Sequence, residues 1–343
     1  MTSGQTLFAR NAERRFAPAS ITKVMTAYVA FDMLLNGELK RNQVMRVRPD
    51  TFQEWSRKGS TMYLAHDAQP TVDQLLHGIT TISANDGSVV LAEGAAGSLD
   101  KWLVRMNRTA ARLGMENSHF GTPNGWPDEG RTYTTARDLA TLAEALIRRF
   151  PFSYNHFFGN PSYTYEGITQ YNHDPISGEV PGADGLKTGF TNQAGYGFLG
   201  SAERYGRRLI LVVGTADRPR ERNRAAVDLL EWGFGKFQLR KAFKAGEAVG
   251  YAQVQGGDRA VVPLAADRAV AVTFPQGDRP EVTMRIIYDG PLSAPIAEGE
   301  PVARLVVQVE GFEAQQYTLR AGEGVAQAGS LRRALNGIVS WLT

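Results

Sequence analysis

Ser20 and Lys23 stand three residues apart in Pro18-Ala19-Ser20-Ile21-Thr22-Lys23, just ahead of an apolar run over 24–31. Proline suits the first turn of a helix rather than its interior. A serine directly after it falls at the helix N-terminus, where backbone N–H groups lack partners. A lysine three residues on shares that helix face. Hydroxyl and amine are thus held side by side, and a lysine with a lowered pKa can take the proton that makes a serine nucleophilic. Alone, the pair is a helix cap followed by a solvated lysine. Two later stretches change that. Ser83-Ala84-Asn85 offers a hydroxyl that relays a proton and an amide that both donates and accepts. Asp184-Gly185-Leu186-Lys187-Thr188-Gly189-Phe190-Thr191 sets a cation beside a glycine, so a substrate backbone can come close while its carboxylate meets positive charge. Each stretch is weak alone, being a cap or a turn. In this order they reinforce one another.

These groups need elements to position them. Residues 4–10 read as a strand, and 19–36 as a largely buried helix ending at Asn36-Gly37. Residues 37–70 are polar and turn-rich, with a short strand at 59–64. Thr71 N-caps a helix whose apolar positions are Val72, Leu75, Leu76 and Ile79. The polar residues of 82–87 predict an exposed turn, and 88–113 is helical again. A Pro- and Gly-dense loop follows at 118–134, then a helix from Thr135 through Leu146. Residues 151–183 read as loop and short strands. Strands are predicted at 185–189, 195–202 and 207–214, the last apolar enough for a central strand, and a helix at 222–234. Beyond residue 240 come β-type runs at 269–274, 282–288 and 302–309, split by Gly, Asp and Pro turns. In the last segment Leu331, Leu335, Ile338 and Leu342 line one helical face.

Bulk properties narrow the class. With 343 residues, 43% hydrophobic and 21% charged, the chain is ordinary globular material with room for two domains. Its 38 Lys+Arg and 35 Asp+Glu are well mixed, without the basic block of a nucleic-acid binder. It has no cysteine, hence no disulfide, thiolate metal site or Cys nucleophile. His66, His77, His119, His156 and His173 form no HExxH and no other close ligand pair, so neither metal nor cofactor is expected. No apolar stretch is long enough to span a bilayer. The start, Met1-Thr2-Ser3-Gly4, lacks a signal-peptide pattern, so either a leader has been removed or the start is internal to a longer precursor.

The order Ser-x-x-Lys, Ser-x-Asn, Lys-Thr-Gly marks penicillin-binding serine enzymes and class A β-lactamases. Together with Tyr133-Thr134-Thr135-Ala136-Arg137-Asp138-Leu139 and Leu230-Glu231-Trp232-Gly233-Phe234, it resembles the D-alanyl-D-alanine carboxypeptidases, the low-molecular-mass penicillin-binding serine peptidases. The resemblance spans essentially residues 4–343. It implies an α/β transpeptidase-like catalytic domain over 1–238, with an antiparallel sheet flanked by helices and a helical lobe. A β-sandwich-like domain over 239–325 and an amphipathic helix over 326–343 would follow. Ser20 would be the acylated nucleophile, Lys23 its general base and Ser83 the relay to the departing D-alanine. Asn85 would hold the substrate amide, Lys187 and Thr188 the terminal carboxylate. The N–H groups of Ser20 and of Phe190, next to Gly189, would form the oxyanion hole. An arginine on the later helix would share the carboxylate. Arg222 matches by its spacing to Trp232, with Arg220 and Arg224 close by. Ala84 stands where the family usually has Gly, which should alter loop shape more than chemistry.

The resemblance thus implies hydrolysis of peptidoglycan stem pentapeptides and acylation by β-lactam antibiotics. It further implies a periplasmic, peripheral place on the bacterial inner membrane, with the terminal helix as an interfacial anchor and no nucleic-acid partner. Packing of that helix on the β domain is its other reading. Three alternatives use the same residues. A D,D-endopeptidase shares the whole site. A class A β-lactamase needs a deacylating Glu, and none of Glu129, Glu144 or Glu166 sits in a recognisable loop for it. A wall-binding scaffold would not need the reactive set intact.

Overall fold

The computed structural model describes residues 1–329. The helix expected over 326–343 therefore lies almost wholly outside the described residues. The chain divides into two compact units, one of Ala9–Gly233 and one that joins Met1–Phe8 to the chain from Phe234.

In the first unit a 3-10 turn, Ala19–Thr22, leads straight into α1 (Lys23–Leu35). Ten of the thirteen α1 residues are buried, as a helix apolar on nearly every side requires. The helical lobe continues with α2 (Pro49–Trp55), α3 (Val72–Thr81), α4 (Asn85–Ala96), α5 (Leu99–Arg112), α6 (Ala136–Arg149) and α7 (Pro151–Phe157). A hairpin of β1 (Ser162–Tyr165) and β2 (Ile168–Tyr171) follows. Then β3 (Ala183–Thr191), β4 (Gly195–Arg204) and β5 (Arg207–Ala216) pair antiparallel in that order, before α8 (Pro219–Lys236).

Helix starts follow their capping chemistry. Thr71 and Gln74 form a reciprocal capping box on α3, and Thr135 Oγ1 accepts from the Asp138 N–H at 3.1 Å. Four expectations for this unit are corrected. Residues 59–64 form no strand. Their N–H groups find a carboxylate instead of a ladder, Met62 and Leu64 donating to Asp86 at 3.0 and 3.2 Å. The turn at 82–87 is buried, not exposed, and its last three residues open α4. Its polar side chains stay inside because protein partners satisfy them. Residues 151–157 are helical, with Pro151 in the first turn where its missing N–H costs nothing. Finally β5 is an edge strand and β4 the middle one; α6 packs against the aliphatic run of β5.

The second unit is all-β. It comprises β6 (Phe237–Phe243), β7 (Ala248–Gln255), β8 (Val261–Ala266), β9 (Val270–Pro275), β10 (Val282–Ile287), β11 (Leu292–Ser293), β12 (Pro301–Val309) and β13 (Gln315–Ala321). Six strands form a sheet in the order β10-β12-β13-β8-β7-β11, antiparallel except for β11 on β7, while β6 pairs with β9. Burial alternates along β12, with Ala303, Leu305, Val307 and Val309 inside, the period-two signature of a half-buried strand. Val262, Leu264, Val270 and Leu319 complete the centre of that core. The strand expected at 4–10 is absent. Instead the Gln5 side-chain amide pairs with both backbone groups of Thr273 on β9, at 2.9 and 2.5 Å, and the Tyr317 hydroxyl donates to the Ser3 carbonyl at 3.0 Å.

Candidate active site

Ser20 lies in the 3-10 turn and Lys23 is the first residue of α1. Lys23 Nζ is 2.8 Å from Ser20 Oγ, 2.8 Å from Asn85 Oδ1 and 2.8 Å from the Asn124 carbonyl. That geometry suits a base. A neutral amine has two N–H groups for the two carbonyl-type acceptors, and its lone pair is then left for the proton of Ser20. Lys23 is 1% exposed. Burial holds its pKa well below 10.5, the charge of Lys187 lowers it further, and Asp86 opposes the shift.

The turn itself is clamped from two sides. Gly125 has φ +77°, and a Cβ there would lie 1.8 Å from the Ala19 carbonyl oxygen. A Cβ on Gly189 would lie 2.5 Å from the Pro18 carbonyl oxygen. The glycine of Lys-Thr-Gly therefore admits the protein's own backbone, the turn that carries Ser20, rather than a substrate as its sequence context suggests.

Ser83 sits at φ +65°, the left-handed region that a serine adopts only under constraint. The constraint comes from α4, which starts two residues later. The Asn85 N–H donates to the Ser60 carbonyl at 2.8 Å, and Asn85 Nδ2 to the Lys58 carbonyl at 2.9 Å. Lys58 is held in turn by Trp55 and Trp126, whose ring centres lie 4.4 and 5.3 Å from its Nζ. Asp86 accepts from the N–H groups of Met62, Leu64 and Gly87. It fixes the 58–64 segment against α4, and burial raises its pKa despite those bonds. The methyl group of Ala84 is fully buried. It points toward Gly78 and Gly87, where an added Cβ would come within 3.5 and 3.3 Å of it.

Strand β3 supplies the third group. Lys187 is 4% exposed, and its Nζ donates to the Thr188 carbonyl at 3.0 Å. Burial and the neighbouring Arg222 bring its pKa down to about 7, against the pull of Asp174. Arg222 is buried on α8 and donates to the Gly197 carbonyl at 3.2 Å, whereas Arg220 and Arg224 are exposed. Phe190 is half-exposed and stacks on Tyr196 across the β3–β4 pair at 4.2 Å.

Ser20, Ser83, Asn85, Thr188, Gly189, Phe190 and Arg222 line one cleft of about 700 Å³. Lys23 and Lys187 lie buried behind it, bonded to Ser20 and Thr188. Three contributors escaped sequence reasoning. The carbonyls of Lys58 and Asn124 carry no side-chain signature. His173 lines the cleft, its pKa lowered by burial, Lys187 and Arg222, and nothing in its local sequence marked it. Among the described residues lining the cleft there is no glutamate. The arrangement sets a hydroxyl beside a lysine of lowered pKa and brings Lys187 and Arg222 to the same cleft, the kind of set that acyl transfer at a carboxylate-terminated substrate requires.

Comparison with known proteins agrees with that chemistry. Residues 1–218 match the family described as D-alanyl-D-alanine carboxypeptidase, and residues 237–327 match the penicillin-binding protein 5 C-terminal domain. The D-alanyl-D-alanine carboxypeptidase DacA of Haemophilus influenzae is 32% identical over 330 residues, 95% of this chain and 84% of that protein. The crystal structure of penicillin binding protein 5 from Haemophilus influenzae superposes with a TM-score of 0.83 at 31% identity, covering 95% of each chain. Penicillin-Binding Protein D2 from Listeria monocytogenes, in its ampicillin-bound form, covers 67% of this chain and 92% of its own, with a TM-score of 0.61 and 30% identity.

Proposed function

The chain belongs to the D-alanyl-D-alanine carboxypeptidase family, and from that premise we propose that its acyl transfer runs through Ser20. The observation that carries this reading is the triple coordination of Lys23 Nζ by Ser20 Oγ, Asn85 Oδ1 and the Asn124 carbonyl, all at 2.8 Å. Lys23, its pKa lowered by burial, takes the Ser20 proton as Oγ attacks the carbonyl between the two terminal D-alanines. The N–H groups of Ser20 and Phe190 stabilise the oxyanion. The proton passes through Ser83 to the departing amine, and D-alanine leaves. Water then attacks the acyl-enzyme and releases the shortened peptide.

Asn85 orients the substrate amide. Its Nδ2 bears two hydrogens and the Lys58 carbonyl takes one, leaving the other for a substrate carbonyl. Lys187, Thr188 and Arg222 hold the terminal carboxylate, and His173 adds polarity to the same subsite. β-Lactams, such as the ampicillin bound by the Listeria relative, enter the same path and remain on Ser20. Substrates of this kind place the enzyme at the cell wall, on the periplasmic side. The helix over 326–343 would hold it at the inner-membrane surface, and flotation with liposomes, with and without those residues, tests that anchor.

Intact mass after incubation with benzylpenicillin tests the assignment of the nucleophile. One added penicilloyl mass is expected in the native chain and none in Ser20→Ala. An adduct that persists in Ser20→Ala moves the nucleophile elsewhere.

A further inference from the structure

Away from the cleft, α3 and α7 bring three ligand-type side chains to one point. Asp73 and His77 lie four residues apart on α3, and His156 comes from α7, 79 residues beyond His77. His77 Nε2 is 3.3 Å from His156 Nε2. His156 Nε2 is 3.4 Å from Asp73 Oδ1, and His77 Nε2 is 3.8 Å from Asp73 Oδ2. Ligands at about 2.0–2.1 Å from a tetrahedral zinc sit roughly 3.4 Å apart. The two spacings at His156 fit that edge, while the 3.8 Å spacing is longer and runs to the other Asp73 oxygen, so binding needs a small turn of that carboxylate.

Arg41 holds the cluster together. Arg41 Nη2 contacts both Asp73 Oδ1, at 2.6 Å, and His156 Nε2. Arginine only donates, so His156 Nε2 presents a lone pair beside a carboxylate that presents more. A positive charge at their meeting point resolves this. Arg41 supplies one from the rim, where its side chain is 53% exposed, donates to Asp73 through Nε and Nη2 and lies over the Phe157 ring; a bound metal would take its place. The ring of His77 is fixed between Tyr163, stacked at 5.5 Å, and Phe157 at 4.8 Å. The Thr80 hydroxyl already ties α3 to the Phe157 carbonyl of α7 at 2.7 Å. The donor set is thus held by rigid elements before any ion arrives.

We propose that Asp73, His77 and His156 form a binding site for a divalent transition metal of the zinc class, with a fourth position open to water. Two imidazoles and a carboxylate suit zinc better than magnesium or calcium, which prefer oxygen alone. The site clasps α3 to α7 and takes no part in the reaction at Ser20. Its two halves come from distant stretches, so the short motifs of the sequence do not reveal it.

Equilibrium dialysis of the full metal-free chain against zinc sulfate tests it, with bound metal read by atomic absorption. The expected result is a single zinc per chain. His156→Ala, at an exposed position, should weaken binding by at least the roughly tenfold that even an outer-shell partner costs. Arg41→Ala should tighten it by removing a competing cation. Cobalt in place of zinc should show the visible bands of a four-coordinate site in the native chain and lose them in His77→Gln. Acylation by fluorescent penicillin should stay unchanged in all three variants, which also certifies their folding. Zinc binding undiminished by His156→Ala, or no zinc bound by the native chain, overturns the site and leaves an Arg–Asp–His hydrogen-bond network.

Discussion

The two compact units differ in what they bury. The unit Ala9–Gly233 buries Lys23, Asp86, Asp128, Asp138, Lys187 and Arg222. Among the described residues, the β-rich unit buries no charged side chain; its buried polar groups are Ser3, Gln5 and Thr273. Burying a charge costs several kcal/mol unless partners compensate. One unit bears that cost repeatedly, and three of its six buried charged side chains, Lys23, Lys187 and Arg222, lie at or behind the cleft. The other spends its sequence on alternating aliphatics that close a sandwich core. The lesson is that buried charge marks where chemistry is done, while the apolar unit reports only on folding.

Variants can break or sharpen this contrast. The largest effect is expected from Lys23→Arg, which installs a permanent cation that cannot act as a base at neutral pH. Penicillin acylation should fall about 10²–10⁴-fold, the usual worth of a general base. In the native enzyme kcat/KM should rise with pH as Lys23 loses its proton, at a lower pH than a free amine would show. It should decline again as Lys187 loses its charge through about pH 7, because carboxylate capture weakens. A stopped-flow profile in Lys23→Arg that keeps the rising limb would mean that this buried charge is not there for catalysis.

The mirror experiment is Leu264→Ala in the fully buried β core. Chemical denaturation should show a loss of about 2–5 kcal/mol, with penicillin acylation of the folded protein unaltered. A parallel fall in acylation rate would dissolve the contrast. Next comes Arg222→Ala. Losing a charge-assisted contact to the terminal carboxylate should weaken substrate binding by about 1.5–3 kcal/mol, read as a higher KM with kcat less affected. A fall confined to kcat would move Arg222 from binding to the reacting atoms. Smallest is Thr71→Ala, which removes the cap of α3 at about 1 kcal/mol. It should lower Tm without touching acylation, showing that polar groups of the catalytic unit are separable into structural and chemical ones.

The proposed reactive residues were legible because acyl transfer depends on side-chain type, and Ser20 with Lys23, Ser83 with Asn85, and Lys187 with Gly189 each lie within one short motif. Strands β9, β10 and β12 were legible as short β-type runs split by Gly, Asp and Pro turns. What escaped depended on distant partners. Segment 59–64 reads as a strand, but its N–H groups go to Asp86, more than twenty residues on. Asp86 reads as a turn residue until that segment buries it. Residues 4–10 read as a strand, and the side chain of Gln5 docks on Thr273 instead. Helix α7 was hidden by aromatic residues of modest helix propensity behind a proline that also signals a turn. The choice among Arg220, Arg222 and Arg224 needed the helix phase, which turns only Arg222 inward.

The burial of Lys187 also sets a proton stoichiometry for folding. Its pKa falls from 10.5 to about 7 in the folded chain. Between those two values the unfolded chain binds the proton more tightly, so unfolding takes one up from the buffer, and stability rises with pH across that window. Below about pH 7 the lysine is charged in both states and the cost of burying that charge is fully felt. Lys23, lowered in the same direction, adds to the uptake. The calorimetric heat of unfolding at mildly alkaline pH should therefore differ between buffers of high and low ionisation enthalpy. Assembling this active site is, in thermodynamic terms, an acid-releasing reaction.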